Sequence, residues 1–471
     1  MKPHCFSCPI CAIDLASDEI AYRCHGCGAT FPFIGPKVPM LLAEHDKATV
    51  TAYLALAKLV KKDEEIISSI QAAIAIDSPR SAVLKRAVAG SESALALLKE
   101  IMSILRHRLN LDTLISHRPE IDPDKARPYL NPLSYALRDW GGLDESEEEI
   151  SRVMKVMERY SAFSPRRGSV TVLGAGLGRY GCEFLGCYDT VYAIERSLPM
   201  ALLFGMLRLR DIELDSVNLV NCKNIVDAVR HLTLSRRRTK NKPRIDGQEV
   251  AYAVGDAKQL PIATGSQSAL ASIFFTDVVP ISRLVMEAGR VLEPGGLFIH
   301  FGPLNYHTEV SVSERLSAEE VRDLFKGSKF TILAEDWHPG FHLERIDGLA
   351  KMWYNNWSFV ARYEGRPEQS WTRQPIDNLC IIGCFKFEST FKLIGRTKTI
   401  VRAKIITSND RIIEINGCTA EIVLDLMADK PFSIAISKAN EKYGHDIRLI
   451  QSVYRDIEHL TATGILGNKR S

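Results

Sequence analysis

Residues 169–179 read Ser-Val-Thr-Val-Leu-Gly-Ala-Gly-Leu-Gly-Arg, and this stretch decides the fold. Its first five residues are mostly β-branched and apolar, which is typical of a buried strand. Gly174, Gly176 and Gly178 then let the backbone turn tightly and approach a ligand closely. The residues from Arg179 onward form a helical pattern whose N-terminal amides would face that ligand. The stretch therefore predicts a strand, a ligand-binding turn and a helix.

Short apolar runs alternate with helical patterns over residues 161–363. Such βαβ alternation predicts a largely parallel sheet with helices on both faces, in an α/β domain of the Rossmann-like kind. The strand candidates, in order, are SVTVLGAG, TVYAIE, VAYAVGD, LASIFFTD, LFIHFGP and WSFVARY.

The ends of the later strands indicate which cofactor the turn would hold. Glu195 ends TVYAIE, where a carboxylate can accept both ribose hydroxyls, although NAD enzymes also place an acid there. Asp256, followed by Ala257, ends the next candidate strand and can accept the adenine amino group. GRVLEPGGLFIH at 289–300 supplies a helix, a turn and a strand late in the sheet. In this order, the features favour S-adenosylmethionine over a dinucleotide.

Four cysteines near the N-terminus have the spacing of a zinc site. Cys8 and Cys11 form one CxxC knuckle, and Cys24 and Cys27 form a second after twelve intervening residues. Four thiolates suit tetrahedral Zn²⁺ and leave no open position, which predicts a structural metal. Residues 1–43 resemble the zinc ribbon of the tRNA-methyltransferase activator subunit.

Bulk composition excludes several other classes of protein. With 46% hydrophobic and 25% charged residues and a mean hydropathy of -0.05, the chain has the composition of a globular protein of more than one folding unit. A net charge of +3 gives no reason to expect nucleic acid, and we interpret the basic run 236–240 as a solvated loop. No signal peptide or apolar stretch of about 18 residues is present, so we expect a cytoplasmic protein and no membrane partner.

The regions flanking the α/β domain have different patterns. Apolar residues at helical spacing punctuated by prolines predict a helical region at 44–160, and a polar, proline-flanked stretch predicts a linker at 364–394. Two extended stretches and three helical patterns then predict a small α+β domain of the winged-helix kind at 395–471. The segment from Ile415, INGCTAEIVL, and the helices after it resemble the PqqD-like fold.

The PqqD-like resemblance implies a leader-peptide partner. Members of that family bind the leader of a ribosomally made precursor as an added strand beside their own hairpin. A domain used only for packing or dimerisation stays open as the alternative.

Segments across half the chain resemble the carnosine N-methyltransferases, a family of S-adenosylmethionine-dependent enzymes. The matching segments are Arg138-Asp-Trp140, VTVLGAGLGR at 170–179, Ile194-Glu-Arg-Ser197, Gly255-Asp256, Phe274-Phe-Thr-Asp277, Gly302-Pro-Leu-Asn-Tyr-His307, Lys351-Met-Trp-Tyr354 and Phe359-Val-Ala-Arg362. The resemblance implies that the cofactor is held by the arginine of the Arg138-Asp-Trp140 segment and by the glycine turn. The residues so implicated are Arg138, Gly174, Gly176, Gly178 and Arg179, with Glu195 and Asp256 on ribose and adenine.

The same resemblance implies a pocket that presents an imidazole to the methyl group. Asp277 and His307 would line it with Tyr306 and Tyr354. The sequence thus predicts an enzyme that methylates an imidazole-type nitrogen of a peptide or small molecule. The alternative is a non-catalytic binding or scaffold protein that keeps the methyltransferase fold.

Overall fold

The structure is a computed structural model, and it divides the chain into two compact units. The larger unit ends at Arg366, and the smaller one includes Pro367–Ser471. The described residues are 6–18, 20–35, 37–75, 79–117, 131–164, 166–240, 247–308, 310–343, 348–365, 379–381, 385–394, 397–407, 412–428, 435, 456, 460 and 466–468.

An N-terminal meander of four strands begins the larger unit. The strands are β1 (Ala16–Ser17), β2 (Ala21–Arg23), β3 (Thr30–Gly35) and β4 (Val38–Leu41). All four residues of β4 are buried, and the strand pairs in parallel with a later strand, with Met40 opposite Val254. The predicted zinc-ribbon region at 1–43 therefore contributes a strand to the central sheet, because the apolar sequence VPML is suited to burial on both faces.

Helices occupy most of the described residues between 45 and 161. Apolar stripes on the longer ones, including Leu56, Leu98 and Ile101, join the same hydrophobic core as Val172 of the α/β domain. Among the described residues, no helix is both long and apolar enough to span a membrane. The helices are α1 (His45–Ala75), α2 (Ser81–Arg108), α3 (Leu111–His117), α4 (Pro132–Trp140) and α5 (Asp144–Ser161).

The α/β elements follow in alternation, as the sequence predicts. They are β5 (Ser169–Leu173), α6 (Arg179–Phe184), β6 (Thr190–Glu195), α7 (Leu198–Leu209), β7 (Ile212–Val217), β8 (Val229–Leu234), β9 (Ala251–Gly255), β10 (Gln267–Ile273), α8 (Ile281–Val291), β11 (Leu292–Gly302), α9 (Ala318–Gly327), β12 (Phe330–His342) and β13 (Met352–Tyr363).

The central sheet confirms the predicted Rossmann-like, mostly parallel topology. Its order is β4-β9-β6-β5-β10-β11-β13-β12, with β1 to β3 continuing beyond β4. The strands β9, β6, β5, β10 and β11 are parallel, and β13 is antiparallel to both of its neighbours. Because β6 and β10 lie on opposite sides of β5, the chain connections on the two sides of β5 run in opposite directions. This divergence leaves a crevice at the carboxyl ends of these strands, where α/β proteins bind ligands.

The basic run at 236–240 follows the two-stranded antiparallel sheet formed by β7 and β8. It was predicted as a solvated loop, and Arg237, Arg238 and Lys240 are exposed. Arg236 differs, because its guanidinium lies over the ring of Phe204 and is half-buried. An arginine stem readily packs on apolar surface, so a basic run need not be solvated throughout.

The smaller unit contains β14 (Leu379–Ile381), β15 (Phe385–Ile394), β16 (Thr397–Thr407), β17 (Ile412–Asn416), α10 (Gly417–Met427) and β18 (Leu466–Asn468). Strands β15, β16 and β17 form an antiparallel sheet, so the predicted linker at 364–394 contains strand residues. The sequence signal for β15 that the linker prediction missed is the alternation of aromatic and polar residues in Phe385-Lys-Phe-Glu-Ser-Thr-Phe391. Residues 366–378 and most of the last two predicted helices lie outside the described residues.

Candidate functional site

The glycine turn after β5 faces the crevice. Gly174, Gly176 and Gly178 all have φ between +53° and +75°, a region that side chains with a Cβ rarely occupy. A Cβ on Gly174 would lie 2.1 Å from the ring of Phe275, whereas a Cβ on Gly176 would meet no atom within 4 Å. The turn is therefore closely packed at its base and open in the middle, as a backbone cradle for a ligand must be.

Glu195 is fixed against the turn at the end of β6. Its Oε2 accepts the Gly176 N–H at 2.9 Å, and its Oε1 accepts the Ser197 N–H at 2.8 Å. Burial raises the pKa of this carboxyl, and the backbone donors oppose that rise. Each carboxylate oxygen has a second lone pair, so Glu195 can also accept ligand hydroxyl groups.

Asp256 lies at the same end of the neighbouring strand β9. The register places Glu195 opposite Val254, two residues before Asp256. Asp256 Oδ1 accepts the Lys258 N–H at 2.9 Å, and Ala257 beside it is buried. The two acids predicted to hold ribose and adenine thus follow adjacent parallel strands on one side of the crevice.

Arg138 lies near the end of α4, and its side chain is buried. Only some of its N–H groups bond to described residues. Its Nε donates to Asp139 Oδ1 at 2.6 Å, and its guanidinium lies near the rings of Tyr135 and Tyr180. Burial acts to lower the pKa of this guanidinium, but the charge of Asp139 raises it above its ordinary value. Among the described residues, none accepts a hydrogen bond from its two terminal nitrogens. Arg138 can therefore bind an anionic group.

Arg179 is placed differently from the prediction that it contacts the cofactor. It has no exposed surface, and its guanidinium donates to Glu183, Glu147 and the carbonyl oxygens of Asp139 and Arg238. These bonds use all five of its N–H groups. Arg179 therefore holds protein elements together and has no donor for a ligand.

The predicted acceptor residues converge across the end of β10 and the loop after β11. Asp277 is 7% exposed, and its Oδ2 accepts the Asn305 N–H at 2.9 Å. The Asn305 side chain in turn donates to the Tyr354 hydroxyl at 3.4 Å. Burial raises the pKa of Asp277 to about 6. One wall thus carries a carboxylate, an amide and a phenol.

The other two predicted residues lie at the border of this wall. His307 donates its backbone N–H to the Asp277 carbonyl at 3.0 Å, while its side chain is exposed. Tyr306 is half-buried, and burial raises the pKa of its hydroxyl to about 12.

Two residues of this region, Glu149 and His342, were missed by the sequence analysis, and Phe274 was named only as part of a matching segment. His342 at the end of β12 contacts Glu149 of α5 at 2.8 Å, and its ring lies 4.3 Å from that of Phe274. Phe274 has φ +51°, a strained value for a residue with a Cβ, next to the predicted site. Glu149 and His342 are far apart in the chain, and no local motif links them.

The four predicted zinc ligands are brought together near the N-terminus. The sulfur atoms of Cys8, Cys11, Cys24 and Cys27 all lie within 4.8 Å of one another, and the four residues are buried. Gly26 lies between the second pair, where a Cβ would be 2.3 Å from the Ile13 side chain. A compact set of four thiols has the donor chemistry that zinc prefers.

Comparison with known proteins gives partial matches, and no family model matches the chain. The carnosine N-methyltransferase of Rattus norvegicus is 24% identical over 220 residues, 43% of this chain and 54% of that protein. The carnosine N-methyltransferase of Dictyostelium discoideum is 27% identical over 202 residues, 40% of this chain and 43% of that protein. The chain spans about half the length of these curated relatives.

Two of the solved structures that match part of the chain are named SAM-dependent methyltransferases. The one from Methanosarcina mazei is 15% identical with a TM-score of 0.29, covering 42% of this chain and 93% of that one. The one from Aquifex aeolicus is 13% identical with a TM-score of 0.27, covering 48% of this chain and 92% of that one.

We predict that Asp277→Asn stabilises the protein at neutral pH. Because burial raises the pKa of Asp277, the folded state holds this proton more tightly than the unfolded state, and stability is lost as pH rises from about 4 to about 6. Asparagine cannot ionise, so urea denaturation at pH 7.5 should show a gain of about 1–3 kcal/mol in the free energy of unfolding, and a smaller gain at pH 5.

The exposed Asp336 provides the control. A hydrogen bond from the Trp337 N–H lowers its pKa, so Asp336→Asn should cost stability at pH 7.5 rather than add to it. A loss of stability in Asp277→Asn that does not vary with pH would contradict the prediction.

Proposed function

We propose that the protein is an S-adenosylmethionine-dependent N-methyltransferase whose acceptor is an imidazole nitrogen of a peptide or small molecule. One observation carries this proposal: an open glycine turn, two acids after adjacent strands and the buried Asp277 all follow strands of one parallel sheet at their carboxyl ends. The similarity to carnosine N-methyltransferases over two fifths of the chain supports it.

The residues present fit S-adenosylmethionine. The open space at Gly176 admits a ligand against the backbone, Glu195 accepts ribose hydroxyls, and Asp256 accepts the adenine amino group. The terminal nitrogens of Arg138 suit the carboxylate of the methionine portion. When bound, the cofactor supplies a methyl group already activated on a sulfonium.

The acceptor side has to align a neutral nitrogen and exclude water, since an activated methyl group needs no strong base. Asp277 accepts the imidazole N–H, which leaves the lone pair of the other nitrogen free and stabilises the positive charge that develops on the ring. His307 orients the same ring or relays the departing proton, with Tyr306 and Tyr354 beside it.

Calorimetric titration tests whether the proposed cofactor binds. We expect S-adenosylmethionine or its demethylated product to bind, and Glu195→Ala to weaken binding at least tenfold, because it removes the ribose acceptor and releases the turn from β6. Glu213→Ala, an exposed acid on β7, should leave binding unchanged. Binding of NADH without S-adenosylmethionine would refute the assignment. Cofactor binding with no transfer to any imidazole compound would favour a scaffold.

We further propose that the four cysteines hold one structural zinc ion.

Metal analysis should give one zinc per chain. Cys24→Ser should release it and lower the thermal unfolding temperature, while kcat of the folded fraction changes little, because four thiolates leave no position for substrate. Cys222→Ser, outside the cluster, should retain the zinc. Retention of zinc by Cys24→Ser would argue against this site.

We also propose that the smaller unit binds the leader of a precursor peptide. Strands β15 and β17 form the two edges of its described three-stranded sheet, and an edge can accept an added peptide strand. Asn416 caps α10 through the Thr419 N–H and also donates to Asp456, which fixes the helix beside β17. A peptide held at two sites on one chain gains affinity through effective concentration.

Truncation tests the leader proposal. Because β15 begins at Phe385, the deletion has to start at Pro367 rather than at the predicted boundary of 395. We expect the deletion to raise KM for a full-length peptide at least about tenfold, roughly 1.4 kcal/mol, and to leave a minimal imidazole acceptor nearly unaffected. Equal losses on both acceptors would mean that the unit supports the fold instead.

A further inference from the structure

The hydroxyl of Tyr180 is a buried polar group that bonds to none of the described residues. Tyr180 is the second residue of α6, two positions after Gly178 of the glycine turn, and 6% of its surface is exposed. Its hydroxyl oxygen is buried and has no hydrogen-bond partner in the described part of the chain. A buried hydroxyl without a partner destabilises a fold, because it loses its bonds to water and gains none in return. Phenylalanine would fill the same space without this cost.

Other buried tyrosines of the larger unit show the usual arrangement. Tyr188 donates its hydroxyl to Ser161 Oγ at 3.0 Å. Tyr252 donates its hydroxyl to the Gly176 carbonyl inside the turn. Tyr180 differs from both, and it does so next to the proposed cofactor site. A buried hydroxyl that the fold does not use at such a place points to a group on the ligand.

A second set of unused donors lies beside Tyr180. The guanidinium carbon of Arg138 is 5.7 Å from the centre of the Tyr180 ring and 5.3 Å from that of the Tyr135 ring. The terminal nitrogens of Arg138 donate to none of the described residues. Burial raises the pKa of Tyr135, and the charge of Glu195 is close enough to raise it further. The unused hydroxyl and guanidinium donors are therefore close to the acid proposed to hold the ribose.

The surroundings of Tyr180 determine which kind of group its hydroxyl can bind. Burial raises the pKa of the phenol, so the hydroxyl keeps its proton and can donate. The guanidinium of Arg138 beside it attracts an anion and repels a cation. A carboxylate satisfies a hydroxyl and a guanidinium together, because both of its oxygens only accept. The single anionic group of S-adenosylmethionine is its α-carboxylate.

We propose that the Tyr180 hydroxyl donates a hydrogen bond to the α-carboxylate of the cofactor, beside Arg138, and makes the site select ligands that carry this carboxylate. The inference rests on the proposed S-adenosylmethionine site and adds to it a residue and a basis for selectivity. A ligand without the carboxylate leaves the buried hydroxyl unpaired, and a site built to bond a polar group rejects analogues that lack it.

Two ligands that differ by one group test the assignment. S-adenosylmethionine and its decarboxylated form share the adenine, ribose, sulfonium and ammonium groups, and only the first carries the carboxylate. In calorimetric titrations, the unsubstituted protein should bind S-adenosylmethionine at least about tenfold more tightly than the decarboxylated form. In Tyr180→Phe, the dissociation constant of S-adenosylmethionine should rise about tenfold, and that of the decarboxylated form should change less than twofold.

Stability without ligand separates this role from a structural one. Tyr180→Phe keeps the ring and removes only the unpaired hydroxyl, so it should not lower the urea midpoint of the ligand-free protein. Tyr188→Phe is the matched control, because it deprives the buried Ser161 hydroxyl of its donor. Its urea midpoint should fall, while the preference between the two ligands stays unchanged. Tyr180→Met also fills an apolar site without a hydroxyl and provides the same contrast if Tyr180→Phe does not fold.

The outcomes separate the inference from the function on which it rests. Loss of the preference for the carboxylate, with ligand-free stability retained, supports the role of Tyr180. Equal weakening of both ligands, an unchanged preference or a loss of ligand-free stability would overturn that role, while the cofactor assignment stands. Binding of neither ligand by the unsubstituted protein would overturn the proposed function and the inference with it.

Discussion

The buried charge of Arg179 is the constraint on which the rest of the site depends. A guanidinium without exposed surface is tolerated only when its donors are satisfied, and here Glu147 of α5 and Glu183 of α6 provide the opposite charges. The carbonyl oxygens of Asp139 and Arg238 accept the remaining N–H groups. Removing one partner of such a pair typically costs about 3–5 kcal/mol. One side chain thereby joins four chain segments directly behind the glycine turn.

The same arrangement explains why three consecutive residues of α4 differ in role. Asp139 contributes its carbonyl to Arg179, and its carboxylate orients Arg138. Trp140 is fully buried and donates its indole N–H to the Leu177 carbonyl inside the turn, at 2.9 Å. Arg138 can present its terminal nitrogens to a ligand because its neighbours fix α4 against the turn. The cofactor contact proposed for Arg138 would thus depend on packing by its neighbours Asp139 and Trp140.

The sequence predicts the fold well because its signals are local. The glycine turn, each strand-terminal acid and each CxxC pair are recognised from a few neighbouring residues, and the structure brings the four cysteines together. The hydrogen bonds of Arg179 could not be predicted, because a local motif identifies the residue but not the Glu147 carboxylate that reaches it from α5. Glu149 and His342 were missed for the same reason, since they are separated by 193 positions. The strand β15 was missed although its aromatic and polar residues alternate as in a strand, because the linker predicted from the polar, proline-flanked stretch before it was extended to residue 394.

Close packing also links the cofactor turn to the acceptor wall. A Cβ on Gly174 would meet the Phe275 ring, and a Cβ on Gly302 would lie 3.1 Å from Phe274 Cα. Both glycines thus pack against one segment, which begins at the strained residue Phe274 and follows β10, the strand between β5 and β11. Methyl transfer depends on holding donor and acceptor in line within a fraction of an ångström. The proposed cofactor turn and the proposed acceptor wall therefore pack against the same segment after β10, which ties their relative position to the central sheet.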